Sequence, residues 1–246
     1  MHEELIQRPG PPRDSLIAPV APYWHTALLA GLLIGISALS VHQAHRPGLT
    51  AHHSARYLTG IVSEWALLLL TWWGVRLRHR PFADLIGFRR GWRALAQDFA
   101  AAGVFWIAAL VILAAVAVVL RLLHLRVPQQ ALHALAPGNA REMLLWILLS
   151  LSAGFCEECV FRGYFLRQLS SPLHRVWIGV LGSSLLFGIS HGYEGAAGMI
   201  AITVYGALFC ALALALRSLR PGMIAHAWHD IFSGVMLLLL RHVQLP

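Results

Sequence analysis

Three short stretches of this 246-residue chain carry side chains able to do chemistry inside an apolar setting. The first is GFCEECVFRGYF, residues 154–165, which closes the apolar run 143–154 with Glu157, Glu158 and Arg162. Each such charge in a membrane-grade segment costs about 2.5–3.5 kcal/mol on insertion scales, so a functional site is the default reading. On a helix Glu158 and Arg162 are four apart and share a face. Pairing lowers the cost of burying both. Glu157 is turned about 100° away and is left for other work. The second stretch is FGISHG, with Phe187 one turn before His191. The third is HAWHD, where Asp230 is four residues from His226 and placed to accept its hydrogen bond and fix its tautomer. A carboxylate and two imidazoles suffice to activate water. The glutamate takes the proton, one histidine orients the water or protonates the leaving amine, and the other stabilises an oxyanion.

The elements that hold these groups are read as transmembrane helices. The chain is 58% hydrophobic and 12% charged, with a mean hydropathy of +0.64; soluble domains carry about 25% charged residues. Seven apolar runs, about 25–44, 57–75, 99–120, 142–163, 176–191, 195–216 and 221–240, approach the roughly 20 residues that cross a bilayer. They are rich in Leu and Ala and lack period-two alternation, which excludes strands. The expected fold is an all-α polytopic helical bundle, with about seven spans and one interfacial helix. Residues 1–22, with five prolines, read as a flexible tail without the pattern of a cleaved signal peptide. Residues 23–246 read as a single membrane domain, with its core at about 140–240. The segment 76–98 mixes arginine with Phe82, Leu85, Ile86, Phe88 and Trp92 and reads as the interfacial helix. Gly31 and Gly35 read as a close helix-packing contact.

The net charge of +8 comes from arginine alone, since the chain has no lysine. The arginines lie in the gaps between apolar runs, which points to membrane topology and lipid headgroups, not nucleic acid. A cytoplasmic N-terminus puts 13 of the 19 inside, the orientation the positive-inside rule favours. Three cysteines in apolar segments exclude a disulfide framework. These span limits leave a tension. Glu157 and His226 fall toward the cytoplasmic half, whereas His191 lies about 24 Å along a helix starting at Arg175. For them to meet, that helix must begin deeper, with residues 169–173 as its entry.

The three motifs together resemble a known family. EECVFR is similar to the EExxxR motif of the CAAX protease and bacteriocin-processing family, the group that includes the prenyl-protein (Ras-converting) endopeptidase. FGISH is similar to its FxxxH motif and HAWHD to its HxxxN-or-D motif, in the same order. The resemblance implies an intramembrane endopeptidase of the glutamate type, with no obligatory metal, acting on a membrane-associated protein or peptide. It implies that Glu157 activates water, His191 helps hold it, His226 and Asp230 form the oxyanion side, and Arg162 braces Glu157 and Glu158. Asp230 departs from the CAAX-processing members, which have Asn; an ionised Asp accepts but does not donate.

Two zinc sets compete with a metal-free site: Glu157, His191 and His226, or Cys156 and Cys159 with the two histidines. Glu64, in the second span, matches no motif and is expected to pair with a buried Arg or His. His229 is expected beside the site or at the lipid edge, and Glu194 in a solvated loop. The competing functions are a non-catalytic bacteriocin-immunity or scaffold protein and a proton-coupled transporter. No internal repeat supports the latter. An all-arginine chain fits a GC-rich bacterial genome and hence a bacterial cell membrane.

Overall fold

In lipid, every backbone N–H and C=O must find its partner within the segment, so Leu- and Ala-rich runs become helices. The computed structural model describes residues 17–44, 53–87, 91–125 and 136–240, and all regular structure among them is helical. Helix α1 is Tyr23–Ala44, α2 His53–Arg76, α3 the single turn Ala83–Ile86, and α4 Trp92–Leu122. Helix α5, Ala140–Glu157, continues without a break through a π-helical stretch, Glu158–Phe165, into α6, Leu166–Ser170. After a turn come α7, Val176–Ser190, a 3-10 turn at Gly192–Glu194, α8, Gly195–Leu216, and α9, Arg220–Leu240. Among the described residues six stretches are long and apolar enough to cross a membrane, and α7 is a shorter apolar seventh. The chain is therefore an integral, multi-pass membrane protein.

The start of α5 is written in the sequence. Asn139 accepts a hydrogen bond from the Glu142 N–H (3.0 Å), and the Glu142 carboxylate accepts one from the Gly138 N–H (2.6 Å). The first bond satisfies one of the orphan donors at the helix start, and the second ties the residue before the cap to the first turn. Small residues then let neighbouring helices close on α5 and α7. A Cβ at Gly154 would stand 2.7 Å from the Met223 carbonyl of α9, and one at Gly188 would stand 2.6 Å from the Met199 carbonyl of α8. Aromatic rings fill the space between these contacts, with Phe161, Tyr164, Phe165, Phe187 and Phe209 all buried.

Four expectations are corrected. The fourth span does not end at residue 163; the helix runs on to Ser170. Glu157 therefore lies mid-helix, not toward one end. Helix α7 packs back along it: Gly179 meets Leu166 and Ser170, Gly182 meets Leu169, and the Ser183 hydroxyl donates to the Phe161 carbonyl (2.7 Å). Continuing that antiparallel register carries His191 back toward the depth of Glu157, so the expected separation of about 24 Å no longer follows from the span limits. The expected interfacial helix is only the turn α3, because Gly87 (φ +68°) ends it and Trp92 already begins α4. Its Leu85 and Ile86 are buried, and their carbonyls accept from Arg167 (3.4 Å) and from the Leu219 N–H (2.9 Å).

The tail, too, is shorter than expected. Val20 and Ala21 are fully buried, and Gln168 clamps them: its Oε1 accepts from both N–H groups (2.9 and 3.1 Å) and its Nε2 donates to the Ala21 carbonyl (2.9 Å). Gly31 and Gly35 are not a packing contact among the described residues, since a Cβ at either would meet nothing within 4 Å. Residues 1–16 of the expected tail, Phe88 of the expected interfacial helix, and Arg46, Arg89, Arg90, Arg126 and Arg241 of the charge count lie outside the described residues.

Candidate active site

The π-helical stretch carries the first motif. A run of i→i+5 bonds widens the turn, as in the Leu166 N–H donating to the Phe161 carbonyl, and such segments concentrate at functional sites. Here it buries all eight of its residues, Glu158 and Arg162 among them. Arg162 Nη1 donates to Glu158 Oε1 (2.9 Å), so the pair expected from the spacing is present. Arg162 Nη2 donates to the Gly206 carbonyl (3.3 Å). Its guanidinium carbon sits 4.3 Å from the Phe187 ring centre and 4.8 Å from that of Phe209. Two aromatic faces thus share the burial of a cation whose Nε has no hydrogen-bond partner among the described residues. Phe187, expected as a supporting residue, does so by stacking.

His226 is the hub. Its Nδ1 lies 3.1 Å from Glu158 Oε1. A carboxylate already paired with arginine only accepts, so Nδ1 carries the proton and donates. That turns Nε2 toward Glu157 Oε2 (3.6 Å) and Asp230 Oδ2 (3.7 Å). The ring stacks on Phe209 at 5.1 Å and meets Phe187 edge-on at 5.9 Å. Gly222, one turn earlier, lets α9 approach: a Cβ there would sit 3.0 Å from the Glu158 carboxylate. The expected hydrogen bond from His226 to Asp230 is therefore not the one that fixes the ring. Glu158 holds the tautomer, and Asp230 faces the other nitrogen beyond hydrogen-bond distance. The difference arises because α9 presents His226 directly to the buried end of the Glu158–Arg162 pair. The Asp230 backbone is anchored separately, its carbonyl accepting from Trp146 Nε1 (2.7 Å).

The two adjacent glutamates divide as their rotation predicts. The Glu158 side chain is 1% exposed, whereas those of Glu157 and Asp230 are 20% and 28% exposed. Glu158 is the buried brace, and Glu157 and Asp230 line the reachable side. His191 ends α7 with Nδ1 2.9 Å from the Phe187 carbonyl, its own helix's orphan acceptor. That bond places the proton on Nδ1 and leaves Nε2 as an acceptor or metal-type donor atom. Phe187 stands between the two imidazoles, 5.0 Å from His191 and 5.9 Å from His226. Asp230 is within electrostatic reach of both histidines, Glu157 and Glu194.

Among the described residues no group of three or more His, Cys, Asp or Glu side chains is arranged to hold a metal ion. Cys156 and Cys159 are buried free thiols, Cys156 lying 3.9 Å from the Ser152 hydroxyl. His229 packs against Tyr205 at 4.8 Å, beside the site and not at the lipid edge. Glu194 is half-buried and paired with Tyr193, not solvated. Glu64 is within electrostatic reach of one buried histidine, His226, and also of the carboxylates Glu157 and Asp230.

Sequence reasoning missed the partners that hold the helices at this depth. His25 of α1 is fully buried, its Nδ1 2.8 Å from the Tyr164 hydroxyl and its Nε2 3.0 Å from the Leu70 carbonyl. Thr26 adds a 3.0 Å contact to the same hydroxyl. An imidazole near the start of an apolar run was the available signal. Asp98, fully buried in α4, pairs with Arg220 at 2.6 Å and fixes the start of α9. The π-helical stretch has no signal in residue type.

No curated protein and no solved structure matches the chain. The family model described as type II CAAX prenyl endopeptidase, Rce1-like, matches residues 139–232. All three motifs lie inside that match, so this segment of the chain is similar to the type II CAAX prenyl endopeptidase, Rce1-like family.

Proposed function

We propose that the protein is an intramembrane endopeptidase that hydrolyses a peptide bond of a membrane-associated protein or peptide with water activated by Glu157. The observation that carries this reading is the position of His226. Its Nδ1 is tied to the Glu158–Arg162 pair, while its Nε2 is turned to the more exposed Glu157 and Asp230. In the reaction Glu157 accepts a proton from water as the water oxygen bonds to the amide carbon. His191 Nε2 accepts a hydrogen bond from the second O–H of that water and fixes the direction of attack. His226, as imidazolium, donates from Nε2 to the oxygen that gains charge. When the C–N bond breaks, the proton held by Glu157 passes to the departing nitrogen. Asp230 stabilises the imidazolium and is not itself a donor. No step uses a metal.

The arginine distribution supports a cytoplasmic N-terminus in a bacterial cell membrane. Arg76, Arg93, Arg167, Arg175, Arg217 and Arg220 all lie at the ends of helices that meet at one end of the bundle, through the contacts of α3 with Arg167 and Leu219 and of Asp98 with Arg220. The test is cleavage of an internally quenched, farnesylated CAAX peptide and its unprenylated counterpart by the protein in proteoliposomes. Wild type is expected to release the C-terminal fragment of at least one peptide. Glu157→Ala and His191→Ala are each expected to lose at least about 100-fold in kcat/KM, the ordinary scale of acid–base assistance. Equal rates for wild type and both variants overturn the reading.

A further inference from the structure

Glu64 lies outside the family-matched segment, on α2, yet it reaches the same site. Helices α2 and α5 run side by side in the same direction. The Tyr57 ring is 5.5 Å from Trp146, Gly60 lies against Leu149, and the Trp65 ring is 6.0 Å from Phe155. This ladder sets Glu64 beside the turn that holds Ser152 and Cys156, directly before Glu157. Ser152 is within polar reach of the Glu64 carboxyl, and the charged groups within electrostatic reach of it are Glu157 from α5 and His226 and Asp230 from α9. Glu64 Oε2 is buried and has no hydrogen-bond partner among the described residues.

A carboxyl in a membrane segment needs a reason to be there. Helix packing does not supply one, because the neighbours at this level are apolar rings and small residues. Nor does charge pairing, because His226, the basic group within its electrostatic reach among the described residues, already bonds Glu158. A buried carboxyl oxygen without a protein partner calls for a hydrogen bond to a bound water or to a neighbour it steadies. The neighbour placed for it is Glu157, whose Oε2 lies 3.6 Å from His226 Nε2, beyond hydrogen-bond distance.

We propose that Glu64 is a positioning residue of the peptidase site, holding the Glu157 carboxyl, directly or through one water, at the orientation that accepts the proton. The site then extends beyond residues 139–232 to a fifth helix. This inference rests on the endopeptidase reading given above. It assigns to Glu64 an effect on the chemical step and none on substrate affinity.

The test is the quenched farnesylated peptide and its unprenylated counterpart in proteoliposomes, with kcat and KM measured separately for wild type, Glu64→Gln and Glu64→Asp, and Tm recorded for each. Glu64→Gln keeps the shape and is expected to lower kcat about 10- to 100-fold with KM within about twofold, the scale of a misplaced reacting group. Glu64→Asp, one methylene shorter, is expected to lose less, with KM again unchanged. Wild-type kcat in a folded Glu64→Gln variant overturns the proposal and leaves the endopeptidase reading intact. If Glu64→Gln fails to fold, Glu64→Asp decides: a kcat loss at unchanged KM and Tm supports the proposal, and unchanged kcat overturns it. A KM increase at constant kcat also overturns it. A wild type inert on both peptides defeats the endopeptidase reading itself, and this inference with it.

Discussion

Glu158 and Glu157 are chemically identical and adjacent, and their surroundings assign them opposite work. Glu158 receives Arg162 at 2.9 Å and His226 at 3.1 Å and is sealed from outside. Removing its charge leaves Arg162 buried and unpaired. Glu158→Gln is therefore expected to cost about 3–5 kcal/mol, seen as a large fall in Tm in detergent. The double variant Glu158→Leu with Arg162→Met removes both charges and is expected to fall less than Glu158→Gln alone. A larger fall for the double variant would show that the pair itself stabilises the fold. Asp230 stands differently. Since Glu158 holds the His226 tautomer, Asp230→Asn breaks no hydrogen bond to the ring. The variant is expected to keep the wild-type Tm within about 2 °C, the effect of well under 1 kcal/mol, and activity within about tenfold. A collapse of the His226 orientation, read as loss of both, would return the tautomer role to Asp230.

At the scale of the elements, close contacts between helices decide where each side chain ends up. Gly188 is one of the tightest of them on α7: an added Cβ would meet the Thr203 hydroxyl as well as the Met199 carbonyl. Gly188→Ala is expected to destabilise by about 1–3 kcal/mol, the cost of overpacking. It should also lower peptidase activity, because α7 carries His191. Gly31→Ala is the matched comparison, with nothing within 4 Å, and is expected to change stability by less than about 0.5 kcal/mol. Similar losses of Tm in the two variants would contradict this packing. The same contacts explain what the sequence could and could not disclose. Hydropathy located all seven apolar helices, and the four-residue spacing of Glu158 and Arg162 disclosed their pair. Spacing failed at helix ends and depths. The fourth span continues to Ser170 because Arg167, Gln168 and Ser170 are each satisfied by partners distant in sequence or by local carbonyls. Polar residues that read as the end of a span are here part of its packing.

Across the whole molecule, the site is assembled from helices that contribute one or two groups each. Helix α5 with its π-helical stretch brings the carboxylates and Arg162, α7 brings His191, and α9 brings His226 and Asp230, while α8 supplies Phe209 and the Gly206 carbonyl. Helix α1 enters through His25 and the clamp on Val20 and Ala21, and α4 through Asp98. The three motifs were legible because charges in apolar segments stand out. Their convergence was not legible, because it depends on helix register and on the wide turns at Glu158–Phe165, and residue types do not report either. In the proposed function this assembly delivers water, activated by Glu157, to an amide carbon. Its most direct test is a single turnover of the quenched peptide in 18O-labelled water by wild type and Glu157→Ala in parallel, read by mass spectrometry. One heavy oxygen in the new C-terminal carboxyl from wild type, with no product from the variant, is the predicted result. Product from Glu157→Ala at the wild-type rate, or a wild-type product without the label, would contradict it.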